Sequence, residues 1–306
     1  MRSAAYFFGL FALALSTPLH AQQVTDGAYT PQIRLPAYGA DGPLVKIDET
    51  HRNFHTLNGR YAPFAKLLRA DGYEVRRQVE TISTASLEKT DVLVIANARR
   101  SEKGTPAFPQ QEIDDIKRWV ENGGSLFLIA DHAPFGKQSA SLASVFGVNM
   151  GKGYVAVSRK GKISSTILYR GDRLGKHPIF LGKKSDGKIR TVQSFTGQSL
   201  GLSPDAPLSA AALLTIPKGA LEVADREMLN ALRHGKKVQG LKVGGRAQAL
   251  ALSYGKGRVV VAGEAAMFTA QRMTLKSGKT NRVGLRAAQN EQFTLNVLHW
   301  LTRNIN

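Results

Sequence analysis

The residues best suited to catalysis form three short clusters, and each cluster directly follows an apolar run typical of a strand. The first cluster, Asp48 to His55, contains two carboxylates, two histidines and an asparagine. The second is the Asp131-His132 pair, and the third is the single carboxylate Glu264. Open α/β sheets bind their ligands in loops at the carboxyl ends of strands. We therefore predict one active site that is assembled from these three strand ends.

Side chains of these types support hydrolysis in two ways. Imidazole nitrogens and carboxylates suit Zn²⁺, Mn²⁺ or Fe²⁺, and such a divalent metal would lower the pKa of a bound water and make it a nucleophile. Without a metal, a carboxylate would act as general base and a histidine as general acid. The predicted metal ligands are His51, His55 and His132, the predicted catalytic carboxylates are Glu49, Asp131 and Glu264, and the predicted substrate-binding residues are Asn53, Asn97 and Thr196.

Structural roles compete with these assignments. The spacing of the histidines matches no strong metal motif such as His-Glu-x-x-His, so metal binding and metal-free catalysis both stay open. Asp131 could cap the loop or helix that follows it, and Glu264 could pair with an arginine. His177 precedes a proline and is interpreted as part of a turn, and His299 is expected to pack inside an apolar helix.

The sequence around these clusters alternates between strands and helices. Nearly continuous apolar runs such as Asp91–Ala96 are typical of strands in a parallel sheet that is covered on both faces. The helix predicted over Pro109–Glu121 has acidic residues near its start and one apolar face, and Asn122-Gly123-Gly124 ends it. Further strands are predicted over Leu44–Ile47, Tyr73–Val75 and Leu126–Ala130, further helices over Tyr61–Ala70, Ser139–Phe146 and Asn290–Thr302, and a β-hairpin over Ala247–Tyr254 and Arg258–Ala262. This alternation predicts an α/β fold on a doubly wound, mostly parallel sheet.

The domain organisation is expected to be simple. Residues 22–43 form a polar, proline-containing lead, and residues 44–306 form a single domain. Within that domain, residues 150–245 are basic and rich in glycine and lysine. Their short β-like pieces are Lys162–Tyr169, Ile189–Phe195 and Ala211–Ile216. We interpret this stretch as a basic insertion into the sheet domain and not as a second domain.

Positive charge is concentrated in the second half of the chain, whose overall formal net charge is +19. Residues 22–149 contain fifteen basic and fifteen acidic side chains, whereas residues 150–190 contain eleven basic and two acidic ones, and residues 226–286 contain thirteen and two. Such a field attracts anions, so a small-molecule or glycan ligand with negative charge is one expectation, and a basic surface without a ligand is the other. Dedicated nucleic-acid binding is not expected, because no such motif is present and the basic residues are not interleaved with aromatics.

The first 21 residues have the pattern of a secretory signal peptide. A positive charge at Arg2 is followed by an apolar run from Ala4 to Leu15 and by a polar region that ends on the small residue Ala21. The run is too short for a membrane span, so we predict cleavage after Ala21, no transmembrane segment, and a periplasmic or secreted protein. The sequence contains no cysteine, which excludes disulfides, thiol catalysis and cysteine metal sites.

Several of these motifs together resemble the class I glutamine amidotransferase-like superfamily, and within it an exported branch related to the ThuA-like proteins. The matching pieces are His51–His55 after a strand, Asp71–Val75, the strand Asp91–Asn97, the helix-to-strand turn Trp119–Leu126, the strand end Ala130–His132, His177-Pro178-Ile179 and Gly263-Glu264. The resemblance covers roughly half of the chain after the predicted signal peptide. It implies a flavodoxin-like three-layer sandwich, with the basic segment inserted into it.

The resemblance does not imply glutamine hydrolysis. Amidotransferases place a cysteine nucleophile after a central strand, and this chain has Asp131-His132 near that position. We therefore expect an exported hydrolase, with or without a metal, that acts on a carbohydrate-type or other polar substrate, and the positive field allows that substrate to be anionic. The alternative is a non-catalytic ligand-binding module that has kept a polar pocket on an amidotransferase-like fold.

Overall fold

The structure, a computed structural model, describes residues 22–100, 106–183, 187–274, 278 and 280–306. The predicted signal peptide, residues 1–21, lies outside the described residues. The described chain forms a mixed α/β fold with six α-helices. None of the helices in these ranges has the length and hydrophobicity that crossing a membrane would require.

The strands and helices are numbered here in chain order. The strands are β1 (Gln22–Thr25), β2 (Leu44–Asp48), β3 (Glu74–Gln78), β4 (Val92–Ala96), β5 (Ser125–Ile129), β6 (Val148–Met150), β7 (Tyr154–Arg159), β8 (Lys162–Ser164), β9 (Thr166–Arg170), β10 (Thr191–Phe195), β11 (Leu200–Leu202), β12 (Ala211–Thr215), β13 (Leu221–Val223), β14 (Leu241–Lys242), β15 (Ala247–Tyr254), β16 (Gly257–Ala262), β17 (Ala270–Thr274) and β18 (Thr280–Gly284). The α-helices are α1 (Ala62–Ala70), α2 (Gln110–Glu121), α3 (Phe135–Ser144), α4 (Pro178–Leu181), α5 (Arg226–Arg233) and α6 (Asn290–Leu301).

A nine-stranded sheet forms the centre of the fold. Its strands lie in the order β3-β2-β4-β5-β16-β15-β11-β6, and β12 also pairs with β15. The pairs from β3 to β16 are parallel, and those from β16 to β6 are antiparallel. The register places Ala96, Ile129 and Ala262 side by side at the ends of β4, β5 and β16. The residues that follow these strands therefore meet at one edge of the sheet.

The central strands are buried on both faces, as their apolar composition predicts. Every residue of β4 and β5 is buried. Alternate residues of these strands enter two hydrophobic clusters: Val94 and Phe127 join the one that includes Phe293 of α6, whereas Leu93 joins the one that includes Ile116 of α2. Complete burial of a side chain of this size contributes about 1.5–3 kcal/mol. Helices on both sides thus fix the strand ends that carry the candidate residues.

Residues 150–245 extend the main sheet and also build smaller sheets. β11 and β12 pair with β15 of the main sheet. β7, β8, β13 and β14 form a four-stranded antiparallel sheet, and β9 pairs with β10. The fold therefore contains more antiparallel pairing than the sequence predicted, because the short β-like pieces pair with one another and with β15. The N-terminal lead also joins a sheet of the fold, since β1 pairs with β17.

Element boundaries in the sheet domain differ little from those predicted. The predicted hairpin is present as β15 and β16, and its turn contains Gly255 at φ +56°. The largest shift concerns α3, which begins at Phe135 instead of Ser139. Pro134 lies at its N-cap, where the missing N–H of proline removes no helical hydrogen bond. This earlier start brings α3 directly behind the Asp131-His132 loop.

Candidate functional site

The carboxyl ends of β2, β4 and β5 open onto a cleft of about 950 Å³. This volume lies within the usual range of small-molecule sites, about 300–1,000 Å³. Of the predicted site residues, His55, Asn97, Asp131 and His132 line the cleft. Its walls also include three aromatic residues and three arginines, which are Phe54, Phe135, Tyr154, Arg60, Arg99 and Arg226.

Asn97, the residue after β4, joins the strand ends beneath the cleft. Its backbone has a left-handed φ of +52°, a conformation that asparagine tolerates better than most residues. Its Oδ1 accepts a hydrogen bond from the N–H of Asp131 at 2.8 Å, and its Nδ2 lies 3.0 Å from Nδ1 of His55. Because Oδ1 already faces a donor, Nδ2 must donate to His55, and the hydrogen of the neutral ring is on Nε2.

His55 is a neutral hydrogen-bond donor. Burial, followed by the positive charge of Arg60, lowers the pKa of His55 to about 3. The ring packs against Tyr61 with the two centroids 4.6 Å apart. Since Asn97 engages Nδ1, the ring nitrogen left for a ligand is an N–H and not a metal-binding lone pair.

Asp131 and His132 lie in the loop between β5 and α3. Oδ1 of Asp131 accepts a hydrogen bond from the backbone N–H of His132 at 2.7 Å, and Nδ1 of His132 donates to the Ala133 carbonyl at 2.9 Å. The His132 ring stacks on Tyr154 with centroids 4.3 Å apart, and the Tyr154 hydroxyl donates to the same carbonyl at 3.1 Å. These contacts orient the ring and leave Nε2 of His132 free to accept or release a proton.

Glu264, which follows β16, is buried behind the described walls of the cleft. Its carboxyl oxygens accept hydrogen bonds from the N–H groups of Ala266 at 2.7 Å and Met267 at 2.9 Å. Burial, reinforced by the negative charge of Asp131, raises the pKa of Glu264 well above its usual range. Because Glu264 lies behind these walls, Asp131 is the carboxylate that the described walls present to a ligand.

His51 belongs to a different, buried network. Its Nδ1 lies 2.8 Å from Oδ2 of Asp48, and its Nε2 forms an ion pair with Oε2 of Glu112 at 2.9 Å. Asn53 donates to the same Asp48 oxygen at 3.0 Å, and Phe108 packs on the His51 ring. Burial alone would lower the pKa of His51, but hydrogen bonds to both carboxylates and their charges raise it to about 9. A charged His51 thus holds the loop after β2 against α2.

The other two predicted residues are also held by structural contacts. Glu49 accepts a hydrogen bond from the N–H of Leu57 at 2.8 Å and forms an ion pair with Arg77 at 2.6 Å. The carbonyl of Thr196 accepts a hydrogen bond from the Gln248 side chain at 2.7 Å. Glu49 and Thr196 therefore stabilise loops near the strand ends, and neither is among the described residues that line the cleft.

The hydrogen bonding of the predicted metal ligands does not suit a shared metal ion. Both ring nitrogens of His51 contact carboxylates, and Nδ1 of His55 accepts from Asn97. Within the described ranges, no group of three or more His, Cys, Asp and Glu side chains is arranged to hold a metal. Asp131 and His132 are acid–base groups of the chain itself that line this cleft.

The arginines and aromatic residues of the cleft were not predicted from the sequence. Arg99 stands two residues after Asn97, at the same strand end, and that position was an available signal. Phe54 lies inside the first polar cluster, and an aromatic residue among polar ones was a second available signal. Arg60 and Arg226 have no such signal, because they reach the cleft from the starts of α1 and α5 and not from a strand end.

Comparisons with known proteins give a likeness of fold. No protein-family model and no curated protein sequence matches the chain. Among solved structures, the mmIFT52 N-terminal domain is similar with a TM-score of 0.59 and 15% identity, over 84% of this chain and 97% of that one. The structural neighbours also include ThuA-like proteins from Bacteroides uniformis (TM-score 0.44, 12% identity, 90% and 95% of the chains) and Parabacteroides merdae (TM-score 0.43, 13% identity, 86% and 90%). At these identities the mmIFT52 likeness concerns the fold alone, and the ThuA-like matches are too loose to support a functional argument.

Proposed function

We propose that this protein is an exported hydrolase that acts on a polar, carbohydrate-type substrate bound in the cleft. The observation that supports it is the pairing of Asp131 and His132 on one cleft wall, each oriented by hydrogen bonds. Neutral His55, held by Asn97, adds a donor N–H to the same cleft. An acid–base pair beside a fixed donor is the minimum that hydrolysis without a cofactor requires.

The proposed reaction is a single displacement by water. The Asp131 carboxylate takes a proton from a water molecule, whose oxygen bonds to the electrophilic atom of the substrate. The bond from that atom to the leaving oxygen breaks, and Nε2–H of His132 protonates the leaving oxygen. Nδ1–H of His132 stays bonded to the Ala133 carbonyl, so the proton moves only at Nε2. Proton exchange with solvent then restores both groups.

Hydrolysis assays on the purified protein test this proposal. A panel of p-nitrophenyl glycosides and esters identifies a reporter substrate, with the protein dialysed against a chelator so that metal-dependent contaminants are silent. Asp131→Asn and His132→Gln should each lower kcat by about 10²–10⁴-fold, the usual contribution of a general acid or base. Asp205→Asn, at an exposed aspartate outside the cleft, is the control and should leave kcat unchanged. Turnover that survives both cleft substitutions would contradict the proposal.

A non-catalytic binding module is the second candidate. The observation that favours it is that Glu264, predicted as a second catalytic carboxylate, is buried and capped by backbone N–H groups. One cleft carboxylate suffices for ligand recognition. A protein that binds sugars but hydrolyses no member of the panel, before or after substitution of Asp131, fits this alternative.

Export and ancestry are part of the same proposal. The signal-like first 21 residues support export, and the N-terminus of protein isolated from its native envelope should lie near Gln22 by mass spectrometry. An intact Met1 in a cytoplasmic fraction would contradict export. The five neighbouring parallel strands β3-β2-β4-β5-β16, which helices cover, support a flavodoxin-like sandwich related to the amidotransferase-like and ThuA-like proteins.

A further inference from the structure

Two arginines share one aromatic ring at the cleft. Phe54 is 40% exposed. Its ring centroid lies 4.5 Å from Cζ of Arg60 and 5.5 Å from Cζ of Arg99. Both distances are within the range of cation–π contact. All three side chains line the cleft, so the ring keeps both guanidinium groups at the cleft, where a ligand can reach them.

These two cations have no anionic partner among the described residues. The ion pairs of the described chain include neither of them. Their hydrogen bonds go to backbone carbonyls, from Arg60 to Gln23 at 3.4 Å and from Arg99 to Arg52 at 3.3 Å. A guanidinium has five N–H donors, so most of their donors have no partner within the part of the chain that the structure describes.

The electrostatics of the cleft favour an anion. Arg226 at the start of α5 adds a third guanidinium to the walls, whereas Asp131 is the one carboxylate among the described wall residues and His55 is neutral. Burial lowers the pKa of Arg60, as expected for a partly desolvated cation without a counter-ion. Like charges repel, and an anion that contacts both groups would offset that repulsion.

We infer that Phe54, Arg60 and Arg99 form a subsite for an anionic group of the substrate, a carboxylate or a phosphate. Planar guanidinium groups bind carboxylates and phosphates through paired hydrogen bonds, and cation–π contact with Phe54 keeps both groups at the cleft. The inference rests on the proposed function in one respect, that the anion belongs to the substrate of the same cleft. The substrate class is then an acidic sugar or a similar small anion, and a neutral sugar binds less tightly.

Thermal unfolding with inorganic phosphate tests the subsite without turnover. At constant ionic strength, 20 mM phosphate in place of chloride should raise the Tm of the wild-type chain by about 2 °C or more. The Arg60→Gln, Arg99→Gln double variant should lose this rise, and its affinity for phosphate should fall at least about 10-fold. Arg99→Gln alone, at an exposed residue, gives an intermediate loss and guards against a folding defect in the double variant.

Arg100→Gln is the matched control, since Arg100 is an exposed neighbour outside the described cleft walls. It should keep the full rise. D-glucuronate and D-glucose 6-phosphate, each compared with D-glucose, then distinguish a carboxylate from a phosphate ligand. The inference is overturned if the wild-type Tm is no higher in phosphate than in chloride, or if the double variant keeps the full rise in Tm. Hydrolysis assays on the same wild-type and variant proteins distinguish failure of the anion subsite from failure of Asp131 as a general base.

Discussion

We predict that one buried histidine makes the protein lose stability between neutral and alkaline pH. His51 is 6% exposed and lies between Asp48 and Glu112. Its pKa is raised from 6.5 to about 9. The folded state therefore holds the His51 proton more tightly than the unfolded state does. The stabilising contribution is complete below pH 6.5 and is lost as the pH rises through 9.

The size of this loss follows from the difference between the two pKa values of His51. A difference of about 2.5 units corresponds to about 3 kcal/mol, at about 1.4 kcal/mol per unit. Between the two values, the free energy of unfolding should fall by about 1.4 kcal/mol per pH unit. Domains are typically stable by about 5–15 kcal/mol, so the effect is a large fraction of the total.

Urea unfolding followed by circular dichroism, at several pH values from 6 to 10, measures the effect. Wild-type protein is compared with His51→Gln, and the difference in their free energies of unfolding should shrink by about 3 kcal/mol across this range. Taking the difference removes the other titrating groups, including Glu264. Phe108→Leu removes the ring packed on His51 but no charge, and it should keep the wild-type slope. A difference that stays constant with pH would refute a charged His51 between two carboxylates.

Two further predictions concern the backbone and the cleft. Gly284→Ala should destabilise the protein by about 3 kcal/mol or more in thermal unfolding. The reason is that φ of Gly284 is +78° and the new Cβ would lie 1.7 Å from the Thr269 carbonyl oxygen. The control Gly219→Ala, at φ +79° with nothing within 4 Å, should destabilise by only about 1 kcal/mol. Asn97→Asp should raise the pKa of His55 from about 3, because a carboxylate oxygen would then face Nδ1. An NMR titration of the His55 ring measures the second effect, and an unchanged pKa would mean that Nδ2 of Asn97 does not face His55.

The part of the site that the sequence predicted is the part that sheet topology dictates. Asn97 and Asp131 follow strands whose last residues, Ala96 and Ile129, are directly paired. Parallel pairing alone brings together the two chain segments that follow these residues, whatever their side chains are. Runs of apolar residues long enough to identify β4 and β5 were therefore sufficient to place the centre of the cleft.

Side-chain direction in the loop after β2 could not be predicted in this way. His51 and His55 are four residues apart, yet one is charged between carboxylates and the other is neutral. The difference arises because Glu112, a partner of His51, comes from α2, far along the chain. A local clue was present, since Oδ1 of Asp48 accepts from the N–H of Thr50 at 3.0 Å, an Asx turn that directs the start of the loop.

Charge sums over the sequence were equally unable to predict the field inside the cleft. Arg60 and Arg99 come from residues 22–149, where basic and acidic side chains cancel, and only Arg226 of the three cleft arginines belongs to a strongly basic segment. The formal charge of a segment takes no account of where each charged side chain points. The electrostatic field in a pocket depends on the distance to each charge, and it is screened beyond about 8–10 Å in physiological salt. The two arginines beside Phe54 therefore contribute more to the field in the cleft than lysines farther along the surface do. The anion preference that we propose for this cleft rests on where a stretch of chain with balanced charges folds, and not on the net charge of the protein.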